Sequence, residues 1–261
     1  MKKFLLILIA SIFLTSCGAQ NSNITTEKDG KNFVGIGLLE VSMNIPLKIY
    51  ANENDENAYD AISFGEVTTG EEKGRITFKT NVLKDKLKPY TLAGGTSEKE
   101  SEELVNSGLG GFAPELIFTV LESAPSYFAV VLNEDTKEIG YIKSDDYIVY
   151  NSNEDYRKNY NKYYKTNPSS LIYETWESYL TRVEAVYGKG VFEVFDKPNG
   201  KSIFKGDAMA HLVTFKVTKL DNEWAKVEAT RSYPDDPVID GWIQWRTNNE
   251  VLIEIVEFYI F

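Results

Sequence analysis

Phe195-Asp-Lys-Pro-Asn-Gly200, Val217-Thr-Lys-Leu-Asp-Asn-Glu-Trp224-Ala-Lys-Val227 and Gly241-Trp242-Ile243 follow one another towards the end of the chain. Their order decides the fold. Pro198-Asn-Gly200 and Asp221-Asn-Glu223 are turn chemistry set between alternating apolar runs, the pattern of strands joined by tight turns. Gly241 removes a side chain where a strand must bend sharply or let a neighbour approach. Val191 to Asp196, Leu212 to Leu220, Trp224 to Thr230, Gly241 to Arg246 and Val251 to Phe261 carry the same strand signal.

Working outward, the first half echoes the second. Phe118, Val120, Tyr127 and Val130 stand at the same spacings as Phe215, Val217, Trp224 and Val227. Both sets then pass through a polar loop to a glycine, an aromatic and an isoleucine: Gly140-Tyr141-Ile142 and Gly241-Trp242-Ile243. Each also has an opening strand, Ile49-Tyr50-Ala51-Asn52 and Val194-Phe195-Asp196-Lys197. Glu115 to Glu122 and Tyr127 to Asn133, joined through Pro125, read as a hairpin.

Over residues 190–261 this ordered set resembles the bacterial SH3-like domain. The resemblance implies a small, partly open β-barrel that binds wall glycopeptides or proteins and is not itself an enzyme. Residues 35–150 match more loosely, with a stretch inserted between the first strand and Glu115. The expected fold is therefore mainly β: two small SH3-like β-barrels, 35–150 and 190–261, joined by a linker over 151–189. Ile172, Trp176, Tyr179, Leu180, Val183 and Tyr187 share one helical face, which predicts a short amphipathic helix in that linker. Ser97 to Ser107 reads as a short helix or a solvated loop, broken by Gly108 to Gly111.

The N-terminus carries a different signal. Lys2 and Lys3 precede an apolar run from Phe4 to Leu14, and Leu14-Thr15-Ser16-Cys17 follows. A charged start, a short apolar stretch and small residues at the cut describe a secretory signal over residues 1–16. The run is about half the roughly 20 residues a membrane helix needs. The tetrapeptide resembles the lipobox of bacterial lipoproteins. That resemblance implies a lipid thioether on Cys17, cleavage before it, and an amine acylated by a chain such as palmitate. Each buried CH₂ contributes about 0.8 kcal/mol, so two or three chains hold firmly where one does not. Residues 17–34 read as a lipidated flexible tether. The expected location is the cell envelope. Gly18 rather than an aspartate follows the cysteine, and the resemblance to lipoproteins of two-membrane bacteria then implies the outer membrane.

Losing Lys2 and Lys3 with the signal takes the formal charge from −11 to −13. A chain this acidic repels nucleic acid and anionic headgroups. The 16 Tyr, 14 Phe and 4 Trp favour β-structure with aromatic faces. Cys17 is the only cysteine, so no intrachain disulfide forms.

Catalytic chemistry finds little footing. A lipidated Cys17 offers no thiolate nucleophile. His211 is the single histidine, with no metal-ligand pattern around it, and reads as structural. No Gly-x-Ser-x-Gly elbow accompanies it. Asp145-Asp146 and Asp235-Asp236 are paired carboxylates of the kind a glycosidase uses, but both sit in polar turns. Asn52 to Asn57 lacks the spacing of a calcium loop. No cofactor is implied. Aromatic recognition remains, with Trp224, Tyr233, Trp242 and Trp245 as the candidate ligand-binding residues. Trp242 and Trp245 are three apart and point to opposite faces of a strand. Trp224 and Trp242 read as barrel core, and Trp245 as the better placed for a surface contact. The expected function is a membrane-anchored, non-catalytic envelope lipoprotein that binds wall fragments or an envelope protein. The alternatives are a carboxylate-dependent wall-degrading enzyme and a purely structural part of an envelope complex.

Overall fold

The computed structural model describes residues 32–42, 45–106, 113–163, 170–207, 213–230 and 238–256, and it is mainly β. The chain opens with β1 (Gly37–Val41), β2 (Leu47–Ile49) and β3 (Asp60–Glu66). Next come β4 (Ile76–Lys79), β5 (Thr91–Ala93) and helix α1 (Glu98–Asn106). A meander follows: β6 (Glu115–Ser123), β7 (Tyr127–Asn133) and β8 (Glu138–Lys143). Then come β9 (Ile148–Tyr150), helix α2 (Asn153–Tyr163), β10 (Ser170–Thr175) and helix α3 (Trp176–Arg182). The second half is β11 (Ala185–Gly188), β12 (Val191–Phe195), β13 (Ser202–Asp207), β14 (Thr214–Asp221), β15 (Trp224–Thr230), β16 (Asp240–Gln244) and β17 (Ile253–Val256).

The second half forms one sheet in the order β13-β12-β16-β15-β14-β11-β17. In the first half β8-β7-β6-β1-β10 runs in sequence, β2 pairs β3, and a bridge between Tyr50 and Tyr141 joins β2 to β8. That path is β3-β2-β8-β7-β6-β1-β10, the same order through strands with the same connections. The registers agree as well. Val120 faces Val130, which faces Gly140; Val217 faces Val227, which faces Gly241. Leu39 pairs Phe118 and Tyr173, where Val186 pairs Phe215 and Ile255. Tyr50 bridges Tyr141 where Phe195 pairs Trp242. Even the register shift recurs, between Val120 and Glu122 and between Val217 and Lys219. A shared bulge position means the two meanders twist at the same place. The chain is thus built from two structural repeats. Among the described residues no pairing joins β3 to β10 or β13 to β17, so each path is open-ended.

Two expectations about the segment between the repeats are corrected. Residues 151–189 are not a linker: β10 lies against β1 inside the first sheet, and β11 lies between β14 and β17 in the second. The helix expected from Ile172 to Tyr187 shrinks to α3. Ile172 pairs Glu40 in a strand and Tyr187 pairs Glu254. The helical spacing was real for Trp176, Tyr179 and Leu180, which α3 buries. Thr175 caps α3 by accepting a hydrogen bond from Ser178 N at 3.2 Å, which fixes the helix start at Trp176, four residues beyond Ile172. A third correction concerns the tether. Phe33 and Val34 were assigned to it, yet both are buried, Phe33 against Ala129, Val131 and Ile139.

α3 is also the joint. Trp176 Nε1 donates to Val34 O at 2.7 Å, and its ring lies 5.4 Å from Trp245 and 5.9 Å from Tyr90. Val34, Leu38 and Ile117 of the first repeat therefore share one apolar cluster with Phe192, Phe215 and Ile243 of the second. Arg246 Nη1 donates to Gly35 O at 3.1 Å across the same seam. From the end of α3, Arg182 reaches back to hold the buried Glu174 carboxylate at 2.8 Å, and Ser178 Oγ and Asn153 N also donate to it. A buried carboxylate needs that full set of donors.

Candidate ligand-binding face

Three strands of the second repeat alternate between inner and outer residues. On β15, Ala225 and Val227 face the core while Trp224, Lys226 and Glu228 face outward. On β16, Gly241 and Ile243 are buried while Asp240, Trp242 and Gln244 lie on the outer side. On β12, Phe192 and Val194 are buried while Val191, Glu193 and Phe195 are outside. The pleat thus brings Phe195, Trp224 and Trp242 from three adjacent strands onto one outer face. Each is partly exposed. Phe195 pairs directly with Trp242, and its ring meets Trp224 edge-on at 5.3 Å.

Charged pairs frame the aromatics. Glu193 meets Lys205 at 3.2 Å, and Lys226 is paired with Asp240. The hydrogen bond from Lys205, with another from Ser202, holds the Glu193 carboxyl below the usual carboxylate range. Gln244 turns its amide aside to donate to Arg246 O at 3.3 Å. The rings between these pairs offer flat apolar faces that stack on a planar or cationic group.

The assignment of the tryptophans is reversed relative to the sequence expectation. Trp245, expected at the surface, is 1% exposed. Its Nε1 donates to Asn222 O at 3.0 Å, pinning the β14–β15 turn where Asn222 takes a left-handed φ of 53°. Trp224 and Trp242, expected in the core, are on the outer face. The rule that residues three apart point to opposite faces held; the choice of face did not, because Gly241 and Ile243 share the inner face with Trp245. Phe195 was not singled out as a site residue. Its place two residues beyond Glu193 on an alternating strand was the signal. Tyr233, His211, Asp235, Asp236 and Cys17 lie outside the described residues.

The first repeat carries aromatics at the matching positions: Tyr50 for Phe195, Tyr127 for Trp224, Tyr141 for Trp242. Tyr127 and Tyr141 meet edge-on at 5.7 Å. Tyr127 Oη donates to Glu122 at 2.7 Å, and that hydrogen bond, with burial and the carboxylate's charge, pushes the phenol up to about 12. Tyr50 is 6% exposed, and the Lys143 ammonium sits 4.6 Å from its ring centroid.

Of the carboxylates considered for catalysis, Asp146 sits exposed in its turn and pairs with Lys48 at 2.7 Å. The buried Asp60 accepts from the backbone N–H groups of Asn81, Val82 and Leu83, so it holds a loop. Asp55 of the Asn52–Asn57 loop is used internally, by Asn52. Among the described residues no cluster of three His, Cys, Asp or Glu is placed to hold a metal ion. Among them, too, no helix is long and apolar enough to cross a membrane. An open groove of about 600 Å³ lies on the first repeat, by β5 and α1, but its Arg75 is already bound to Glu72 and Gly95 O. Comparison with protein-family models, with curated proteins and with solved structures finds no match.

Proposed function

We propose that this protein is a lipid-anchored lipoprotein of the bacterial cell envelope that works by binding, through the Phe195–Trp224–Trp242 face of its second repeat. The observation that carries the reading is this patch: two tryptophans and a phenylalanine left on an outer sheet face when the same repeat buries Trp245 completely. Large apolar side chains gathered on one exposed face mark interaction sites. The shared strand order and register support reading both repeats as partly open SH3-like barrels. The lipobox at Leu14 to Cys17 supports anchoring through acylated Cys17. The ligand is a wall fragment or an envelope protein, and no step of chemistry is assigned.

The test has two parts. Mass spectrometry of the native protein is expected to show Cys17 as an acylated N-terminal residue; an unmodified N-terminal region would remove the anchor. The full-length protein in detergent is then exposed to purified wall sacculi and, separately, crosslinked in envelope extract. Retention or a defined crosslinked partner is expected, reduced at least tenfold by Trp242→Ala. Equal capture by wild type and variant would discard the face.

A further inference from the structure

The two repeats place different residues beside their aromatic triads, and the difference identifies the ligand's chemistry. Register equates Tyr141, Ile142 and Lys143 with Trp242, Ile243 and Gln244: Lys143 pairs Tyr127 as Gln244 pairs Trp224. In the first repeat the Lys143 ammonium lies over the Tyr50 ring and donates to Asp55 O at 2.5 Å. The Tyr50 ring of that triad thus holds a cation supplied by its own chain. In the second repeat the equivalent side chain is a neutral amide turned towards Arg246 O. The ring at the Tyr50 position is Phe195, with Trp224 beside it, and tryptophan is the best cation acceptor among the aromatics.

Resting on the reading that this face binds, we propose that the Phe195–Trp224–Trp242 face takes a lysine side chain from an extended segment of a partner protein. The ammonium occupies the place that the first repeat fills with Lys143. The surrounding charge fits. The chain carries 39 acidic against 28 basic residues. Asp196, next to Phe195, and Asp221, paired with Trp224, are exposed beside the rings, while Asp240 is paired with Lys226. The lysine stem has apolar surface to lie on in the partly exposed rings of Trp224 and Trp242 themselves. A lysine of a protein partner is favoured over a sugar because the group the fold itself seats on the matching triad is a lysine ammonium.

The experiment is calorimetric titration of the full-length protein in detergent with the peptide acetyl-Gly-Lys-Gly-Lys-Gly-amide and with its side-chain-acetylated counterpart. The lysine peptide is expected to bind one per chain, and the acetylated peptide at least tenfold more weakly. Gln244→Lys, which places the first repeat's lysine beside the second triad, is expected to weaken binding at least fivefold by internal competition. Lys143→Gln is expected to free the first triad and raise the stoichiometry from one to two. Gln244→Lys alters an outward-facing side chain, so that arm stands even if Lys143→Gln destabilises the first repeat. Equal binding of both peptides, no binding of either, or unchanged affinity in Gln244→Lys overturns the lysine assignment. Retention on sacculi or a crosslinked partner that still depends on Trp242 would then leave the face standing with another ligand. Retention that ignores Trp242 would remove both.

Discussion

The two repeats share strand order, register and a bulge, yet they have been put to different uses. The first is elaborated and self-satisfied. β4, β5 and α1 are inserted between β3 and the meander, Tyr50 is buried with the Lys143 ammonium over its ring, and Tyr127 is hydrogen-bonded to Glu122. The second is spare and open: β13 runs through one short connection to β14, and its three outer aromatics keep part of their surface in water. The comparison teaches that the repeated backbone sets where an aromatic triad falls, while a single strand position, Lys143 or Gln244, decides whether the triad is filled from within.

The sharpest way to break this comparison is to exchange inside for outside in the second repeat. Trp245→Ala removes a fully buried indole at the seam with α3, together with its contact to Trp176. A cost of about 3–5 kcal/mol is expected in urea unfolding. Trp242→Ala, on the same strand run but the outer face, is expected to cost about 1 kcal/mol or less while still reducing capture at least tenfold. Equal costs would mean the two faces are not distinct.

The junction gives the next effect. Glu174 and Arg182 belong to the first repeat's side alone; register puts Val256 at the place matching Glu174 in the second. The side chains are 7% and 29% exposed. Arg182→Ala leaves the carboxylate with only Ser178 and Asn153 as donors, and a loss of about 3 kcal/mol is expected. Arg182→Lys keeps the charge but not the two-pronged fit, and should recover only part of the loss.

Much of this was legible in the sequence, and the rest was hidden for identifiable reasons. The repeat was readable because its markers are local: a valine pair, an aromatic at a strand start, a glycine before an aromatic. The charges on β15 bore on Trp224 as well, but the sequence reading placed that indole in the core. Lys226 and Glu228 lie two and four residues beyond Trp224, so that indole had to share the face of two charges. The place of β10 was not readable. Ser170 to Thr175 finds its partner in β1, far back along the chain, and no local pattern announces a long-range pairing. Leu171 and Ile172 with Trp176 and Tyr179 also satisfy a helical period, so tertiary pairing had to decide between strand and helix. The Lys143–Tyr50 contact depends on register across the bridge from β2 to β8, which sequence spacing does not contain.

The glycines that open each third strand sharpen the comparison at a smaller scale. A Cβ on Gly241 would lie 2.6 Å from Phe195 O and 2.5 Å from Val194 Cγ1, so backbone must move. One on Gly140 would meet Leu132 Cδ1 at 2.7 Å and Ile49 Cγ2 at 3.1 Å, both side-chain ends. Gly241→Ala is expected to destabilise by about 2 kcal/mol and Gly140→Ala by about 1 kcal/mol. The order of the two midpoints in urea tests whether the opening strand is held closer in the second repeat.

The smallest effect belongs to the insertion that only the first repeat has. Ser97 and Glu100 cap α1 reciprocally: Ser97 N donates to Glu100 Oε2 at 3.0 Å and Glu100 N donates to Ser97 Oγ at 3.2 Å. Ser97→Ala is expected to cost about 1 kcal/mol at neutral pH. The Ser97 backbone N–H, then its hydroxyl, hold the Glu100 carboxyl below its usual range. A depressed carboxyl binds its proton more readily in the unfolded chain, so its stabilising contribution is complete above the ordinary glutamate value of about 4.3 and is lost as pH falls through the folded value. The difference between wild type and Ser97→Ala should therefore shrink on acidification, read as converging amide-exchange rates in α1. Exchange in β14 and β15, which lack this cap, should show no such convergence.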